Sequence, residues 1–420
     1  MEHLIDKILK IGEKNNFEVD IYIEKTDGIS ADLDGDSLDS VDISKDYGIG
    51  VRVIKDKKVG FAFSSQENEK VIYKAMENLI SDPHTTLAQP EPKSKYPNPK
   101  GTYYKEILDL DENQLIDDLR TMKNILEENN ITITGGGIGS SISHTRIINS
   151  NGVDIEEKYT QYSASISGIT ENETAYDYLT KNNRFDVEEL ANNTVELLKL
   201  PKSITQNYEG NIILNPRALN SLLGYTLKPS FNSESVQRNR SVLAGKIGEN
   251  IFGENINIID DGTIDNGIYS SKADDEGTPT KRTILVENGV LKSYLYDIKR
   301  ANIDNAESTG NGARSSSSLP SVGSSNFIIE PVDKIDNYSE YLIINTLIGC
   351  HTSNPITGDF SVEISNSYIV KDGEKIPLKK GMLSGNIFEA FKTAIPLDKV
   401  EQRGSLISPP LLINGKIIVN

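Results

Sequence analysis

Four Asx-Gly dipeptides sit between apolar runs, and they constrain the fold more than anything else in the chain. Asn288-Gly289 separates Thr283–Glu287 from Val290–Tyr296, and Asp372-Gly373 follows Ser367–Val370. Asn414-Gly415 lies between Leu411–Ile413 and Lys416–Val419, and Asn151-Gly152 between Ile147–Ser150 and Val153–Tyr159. Asparagine, aspartate and glycine tolerate the left-handed backbone of two-residue hairpin turns, so each dipeptide predicts an antiparallel strand pair. The expectation is a chain built mainly of antiparallel sheet.

The segments between these hairpins supply helices and further strands. Leu4, Ile5, Ile8 and Leu9 form a helical stripe ending near Gly12. Period-two runs follow at Val19/Ile21/Ile23, Leu38/Val41/Ile43, Ile49/Val51/Val53 and Val59/Phe61/Phe63, with a turn at 55–58. Ser64 and Glu67 have capping-box spacing before a helix carrying Val71, Ile72, Ala75, Met76, Leu79 and Ile80. Asp111 predicts an N-cap for a helix with Leu115, Leu119, Met122 and Leu126 on one face. Strands are expected at 163–170 and 174–180, and a helix from Glu188 to Leu200, stopped by Pro201. Ile212–Leu214 reads as a strand, and Asn215-Pro216 opens a helix lined by Leu219, Leu222 and Leu223. The reading continues with a helix over 236–247, a strand from Ile256 into a turn at Asp260-Asp261, and a mobile polar loop over 308–318.

At 420 residues the chain is too long for one ordinary core. The fold class expected is α+β in two domains. Residues 1–201 form an N-terminal α+β domain of antiparallel strands with flanking helices. Residues 202–420 form a larger, sheet-rich C-terminal domain. Asp82 to Gly101 holds five prolines and reads as a linker inside the first domain, with His84 a solvated residue in it.

Charge and composition exclude several functions. Lys+Arg 44 against Asp+Glu 62 leaves −18, which argues against nucleic acid as a direct ligand. One cysteine permits no internal disulfide and fits a reducing cytoplasm. The first residues lack the basic and apolar regions of a signal peptide, and no apolar run approaches the ~18 residues of a membrane span.

Catalytic motifs are scarce. No two histidines stand at helical spacing around a glutamate, and there is no Gly-x-Ser-x-Gly elbow. Gly135-Gly-Gly-Ile-Gly139 lacks the Lys-Ser/Thr of a phosphate loop and is followed by strands, so a bulged strand is preferred. His144 reads as a hairpin surface residue. Cys350-His351 follows a strand at 341–348. A thiol nucleophile, a pair of metal ligands, and a small buried cysteine are all compatible with it, the last being the simplest. Asp274-Asp275-Glu276 is the densest acidic turn. Its carboxylates suit a cation, backbone amides or the basic groups of a peptide.

The order of motifs in the second half resembles the TldD/PmbA family. They are Ser241-Val-Leu-Ala-Gly-Lys-Ile-Gly-Glu249, Asp260-Asp-Gly-Thr263, Asp274-Asp-Glu-Gly-Thr-Pro279, and Thr283-Ile-Leu-Val-Glu-Asn-Gly-Val-Leu291. Ser308-Thr-Gly-Asn-Gly312, Thr357-Gly-Asp-Phe-Ser361 and Leu383-Ser-Gly-Asn386 continue the series. Tyr47–Val53 and Gly60–Ser64 resemble the front half more loosely. The resemblance implies metallopeptidases and their partners, also called modulators of DNA gyrase, acting in the cytoplasm on unfolded or small peptides. The TldD branch carries a His-Glu-x-x-x-His helix and a later cysteine that hold zinc. At the matching helix, 218–229, this chain has Gly224, Tyr225 and Pro229, and no cysteine follows Cys350. The ending Ser408-Pro-Pro-Leu-Leu-Ile-Asn-Gly415 looks like the PmbA (TldE) branch.

The resemblance therefore implies a non-catalytic subunit of a heteromeric zinc peptidase, with no cofactor in this chain and zinc in a TldD-like partner. Asp274, Asp275, Glu276, Thr278, Thr309, Gly310, Thr357, Gly358 and Asp359 are the expected peptide-binding residues. No catalytic or metal residue is assigned. The assembly is expected to be a hetero- or homo-oligomer, with no membrane and no nucleic acid. The alternatives are a peptidase active alone through Cys350, His351 and Asp359, and a peptide- or toxin-binding modulator without peptidase activity.

Overall fold

The computed structural model describes residues 1–171, 173–335 and 338–419. The fold is α+β with mainly antiparallel sheets. The N-terminal part is one seven-stranded sheet ordered β4-β3-β2-β1-β5-β6-β7. Its strands are β1 (Glu18–Asp34), β2 (Ser37–Lys55), β3 (Lys58–Ser64), β4 (Ile80–Ser81), β5 (Thr132–Asn149), β6 (Asp154–Ile169) and β7 (Thr174–Lys181). β1, β2, β5 and β6 are much longer than the short runs read from sequence. Leu38–Ile43 and Ile49–Val53 are one strand, and the glycine run 135–139 is a stretch of β5 with a register shift at its start.

Helices cover one face of this sheet. α1 (Glu2–Lys14) and α2 (Lys70–Glu77) close a core with Val19, Ile21, Ile23, Ile49, Val51 and Val53. α3 (Glu112–Glu128) and α4 (Val187–Leu198) close a second core on the far half of the sheet, with Ala31, Ile138, Ala164 and Ile166. Asp111 caps α3 in a full capping box with Gln114. The box expected at Ser64 and Glu67 does not form. Ser64 Oγ instead accepts from Gln66 N at 3.1 Å, α2 begins at Lys70, and Ile80 stands exposed on the edge strand β4.

Strands Tyr208–Leu214, Glu340–Ile348, Asp359–Lys371, Gly381–Asn386 and Leu411–Ile418 pair around a closed cycle, a five-stranded barrel. α5 (Pro216–Tyr225) packs under it through Leu219, Leu222 and Leu223. Ile258–Asp261, Arg282–Glu287 and Phe327–Ile329 belong to a further sheet beside the same core.

Two secondary-structure readings of the second half fail. Asn414-Gly415 is not a turn: strand Leu411–Ile418 runs straight through it, with Asn414 opposite Asn211 and Gly415 opposite Gly210. A Cβ at Gly415 would lie 2.8 Å from Ile212 Cδ1, so close packing rather than a turn explains this glycine. The helix expected over 236–247 is only Ser233–Gln237, because Asn239 and Gly245 take positive φ. Asn288-Gly289, Asp372-Gly373 and Asn151-Gly152 do turn as read.

The proline segment 82–101 is docked rather than free. Asp82, Thr85, Leu87 and Ala88 are buried. Lys299 Nζ meets Asp82 at 2.6 Å, Asn302 Nδ2 donates to His84 O at 2.8 Å, and Tyr96 Oη donates to Gly277 O at 3.3 Å. Prolines remove backbone donors and fix φ, which suits an extended strap held by its side chains. At the other edge of the sheet, Asp177 on β7 binds Arg217 and Arg403, each at 3.0 Å. These two seams fix the position of the site.

Candidate functional site

A cleft of ≈ 250 Å³ opens where the N-terminal sheet meets the loops after residue 260. Tyr22 of β1, Thr145 of β5 and Tyr159 of β6 form one wall. Ile268–Ser271, Ala273–Asp275, Thr280, Gly310–Ala313 and Gly323–Ser325 form the rest.

The acidic turn is held by its own backbone. Asp274 Oδ1 accepts from Glu276 N at 3.0 Å and Thr278 N at 2.9 Å, and Oδ2 from Gly312 N at 2.8 Å. Gly277 closes the turn at φ +88, where a Cβ would also strike Val153 at 2.7 Å. Asp275 lies across the polar loop 308–318. Its N donates to Gly312 O at 2.9 Å, and its Oδ2 accepts from Arg314 N at 2.9 Å. Gly312 is required by proximity, since a Cβ there would meet Glu276 Cγ at 2.7 Å. The first half of that loop is thus buried and bonded, contrary to its reading as mobile. Ser308 Oγ donates to Tyr296 O at 3.1 Å and accepts from Gly310 N at 3.2 Å.

Beneath the cleft lies a buried ion network that crosses the chain. Arg314 binds Asp20 of β1 through both terminal nitrogens, at 2.6 and 3.2 Å. Arg52 of β2 donates from Nε to Asp20 at 3.0 Å and from Nη1 to Glu276 at 3.2 Å. Glu276 also accepts from Ile298 N at 2.8 Å. The Arg314 guanidinium stacks 4.8 Å from the Tyr22 ring centre. Burial opposes the charge on Asp20, yet Arg314 and Arg52 hold its carboxyl below the usual range.

The carboxylates nearer the cleft behave in the opposite way. Burial, then the neighbouring Glu276, push Asp274 well above its ordinary value. Burial raises Asp275 despite the Arg314 amide and charge. Burial and Asp275 raise the Tyr22 hydroxyl, and burial and Glu157 raise that of Tyr159. Asp260, bonded by Ser325 Oγ at 2.6 Å and Asn311 Nδ2 at 2.8 Å, is pushed up to about 6 by burial. The cleft therefore presents hydroxyl and carboxylate oxygens and backbone groups, which suit the amides and amines of a peptide.

Six of the nine residues expected to bind peptide gather here. Asp274, Asp275 and Gly310 line the cleft, and Glu276, Thr278 and Thr309 brace it. Thr309 Oγ1 accepts from Tyr296 N at 2.7 Å and lies 2.6 Å from Asn311 Oδ1. Thr357, Gly358 and Asp359 are not among its lining residues. They form a tight turn in which Thr357 Oγ1 donates to Asp359 at 2.6 Å and Asn386 Nδ2 donates to both ends. Asp20, Tyr22, Arg52, Tyr159 and Arg314 were not singled out in the sequence reading. A signal existed for two of them. Asp20 and Arg52 interrupt Val19–Ile23 and Val51–Ile54, runs whose residues are all buried.

Comparison with known proteins agrees with the motif order. Residues 205–419 match the PmbA/TldA metallopeptidase C-terminal domain, 19–82 match domain 1, and 105–200 match the central domain. The protein MJ0231 of Methanocaldococcus jannaschii is 56% identical, with 99% of each chain covered.

The chain belongs to the PmbA/TldD family.

Metalloprotease MJ0996 of the same organism is 27% identical, covering 92% of this chain and 89% of its own length. The crystal structure of TldE from Thermococcus kodakarensis has the same fold, with TM-score 0.90, 24% identity, and 99% and 100% of the two chains covered.

The family is named for metallopeptidases, and the motif resemblance sets residues 218–229 against its metal helix, so α5 and the turn after it are where zinc is tested. α5 ends at Tyr225, and Pro229 lies in the 3-10 turn Lys228–Phe231. Gly224 has nothing within 4 Å of where a Cβ would stand, and Tyr225 is half exposed. Neither glycine nor proline offers a side-chain ligand atom, so these residues do not fit a zinc ion. Among the described residues no group of three His, Cys, Asp or Glu is placed to hold a metal ion.

The only cysteine gives no alternative. Residues 350–352 form a 3-10 turn. Cys350 is buried against the core, its thiol pushed up to about 11, whereas His351 is exposed. A thiol so protonated is a poor nucleophile and a poor metal ligand. Among the described residues no helix is long and apolar enough to cross a membrane.

Proposed function

We propose that this chain is the non-catalytic, PmbA/TldE-like subunit of a heteromeric zinc peptidase that processes unfolded or small peptides in the cytoplasm. Its partner is a TldD-like subunit that carries the zinc. The observation that supports it is the end of α5, where Gly224, Tyr225 and Pro229, which the motif resemblance sets against the family's metal helix, offer no ligand set. The cleft lined by Tyr22, Tyr159, Asp274, Asp275 and Gly310 supports the peptide-binding part of the reading. Asp275 and the two tyrosine hydroxyls hold backbone amides or an amine, while the ion network beneath keeps the two halves in register. Metal content tests the reading. The chain purified alone in chelator-free buffer should carry less than about a tenth of an equivalent of zinc. A stoichiometric, tightly held ion would make it a metallopeptidase in its own right.

A further inference from the structure

β2 is nineteen residues long, but its outer neighbour β3 pairs only with Ile49–Lys55. Among the described residues, no strand pairs with the outer side of residues 37–47. This open edge continues a buried face. Ile43, Val41 and Leu38 stand in register opposite Ile29, Ala31 and Leu33. Those three β1 residues pack in the core beneath α3, whereas Leu38, Val41 and Ile43 are 46%, 37% and 60% exposed. The apolar row thus runs out from under the helix and ends bare on an unpaired strand.

Unpaired apolar edges invite indiscriminate pairing, and folded proteins blunt them with charge and bulges. Both devices are present. The register shifts at Asp32/Leu33, leaving Asp39 as the extra residue on β2. Residues 32–46 hold six aspartates and one lysine. Asp42 and Asp46 stand on the face opposite the apolar row, beside the Asp32 side of the sheet. A second copy brought to this edge would place aspartates against aspartates. Asp32 is already held above its ordinary value by burial, Asp42 and Asp39. A strand with lysine or arginine on one face and aliphatic residues on the other meets no such cost.

We infer that the Ser37–Tyr47 edge of β2 is a docking strand for another protein chain. That chain would add an extended segment, aliphatic on the face beside Val41 and Ile43 and basic on the face beside Asp42 and Asp46. The inference rests on the reading that this protein works beside a different subunit.

A capped peptide of about ten residues alternating valine and lysine is the probe, with an alternating valine–glutamate peptide as control. Binding to the full chain is measured by fluorescence anisotropy, and amide exchange locates it. The basic peptide should bind at least about tenfold tighter than the acidic one and slow exchange at residues 37–47. Val41→Lys with Ile43→Lys, both at exposed positions, should weaken it about tenfold with the circular dichroism unchanged. Equal binding of the two peptides, equal binding to the variant, or protection elsewhere overturns the docking strand. A TldD-like subunit captured equally by wild type and the double variant also overturns it, and leaves the heteromer reading standing. A wild-type chain that captures no TldD-like subunit refutes that reading and removes the partner on which the docking strand rests.

Discussion

Arg314 reaches out of the polar loop after residue 308 and closes on both carboxylate oxygens of Asp20, 294 positions earlier in the chain. The pair is almost wholly buried, with each side chain 1% exposed. It joins the first strand of the N-terminal sheet to the loop that frames the cleft. Removing one partner leaves the other charge buried and unmatched. Arg314→Met should therefore lower the unfolding free energy by about 3 kcal/mol, read as a drop in the urea midpoint. A change below about 0.5 kcal/mol would mean that water reaches Asp20.

Asp274 and Asp275 are neighbours with different work, and single substitutions should separate them. Asp274 accepts three backbone N–H groups, so Asp274→Ala should cost about 2–3 kcal/mol of stability. Asp275 faces the cleft between Tyr22 and Arg314. Asp275→Asn should leave stability within about 1 kcal/mol and slow peptide processing by the paired assembly about tenfold. Unaltered turnover in Asp275→Asn would reduce the turn to a purely structural element.

Asp260 gives a pH signature. Its folded pKa, about 6, lies above the ordinary 3.8, so the folded state holds the proton more tightly than the unfolded chain. Its contribution to stability falls as pH rises through that window. Relative to Asp260→Asn, the wild type should gain about 1 kcal/mol on going from pH 7 to pH 5. A constant difference between the two proteins across that range would show that Asp260 is not held near 6.

Cys350 packs in the core and should be dispensable to the chemistry. Cys350→Ser should keep the activity of the assembly while lowering stability by about 1 kcal/mol. The native thiol should resist alkylation at pH 7 until the protein is unfolded. Loss of activity with the fold intact would contradict the packing role.

Much of this architecture was legible in the sequence because local chemistry and tertiary structure agree. Asp111 caps α3 as read, and Asn288-Gly289, Asp372-Gly373 and Asn151-Gly152 turn where they should. What escaped depends on partners far along the chain. Gly415 sits in a straight strand because Ile212 crowds it, although its dipeptide has the composition of a turn. Asp20 and Arg52 interrupt apolar runs, but their partners Glu276 and Arg314 lie more than 200 residues later in the chain. The acidic turn was visible as a cluster, but its use of backbone amides was only one of the alternatives left open. No spacing in the sequence links Thr357–Asp359 to the cleft or separates it from it.

The central claim is that the chemistry belongs to the partner, and mixing two proteins tests it most directly. This chain combined with an intact TldD-like subunit should give peptidase activity well above either protein alone. Combined with a TldD-like subunit whose zinc-helix glutamate has been removed, it should form the same assembly and be inert. Residual peptidase activity in that second mixture, abolished by His351→Ala in this chain, would contradict the account and move the active site to the turn at Cys350.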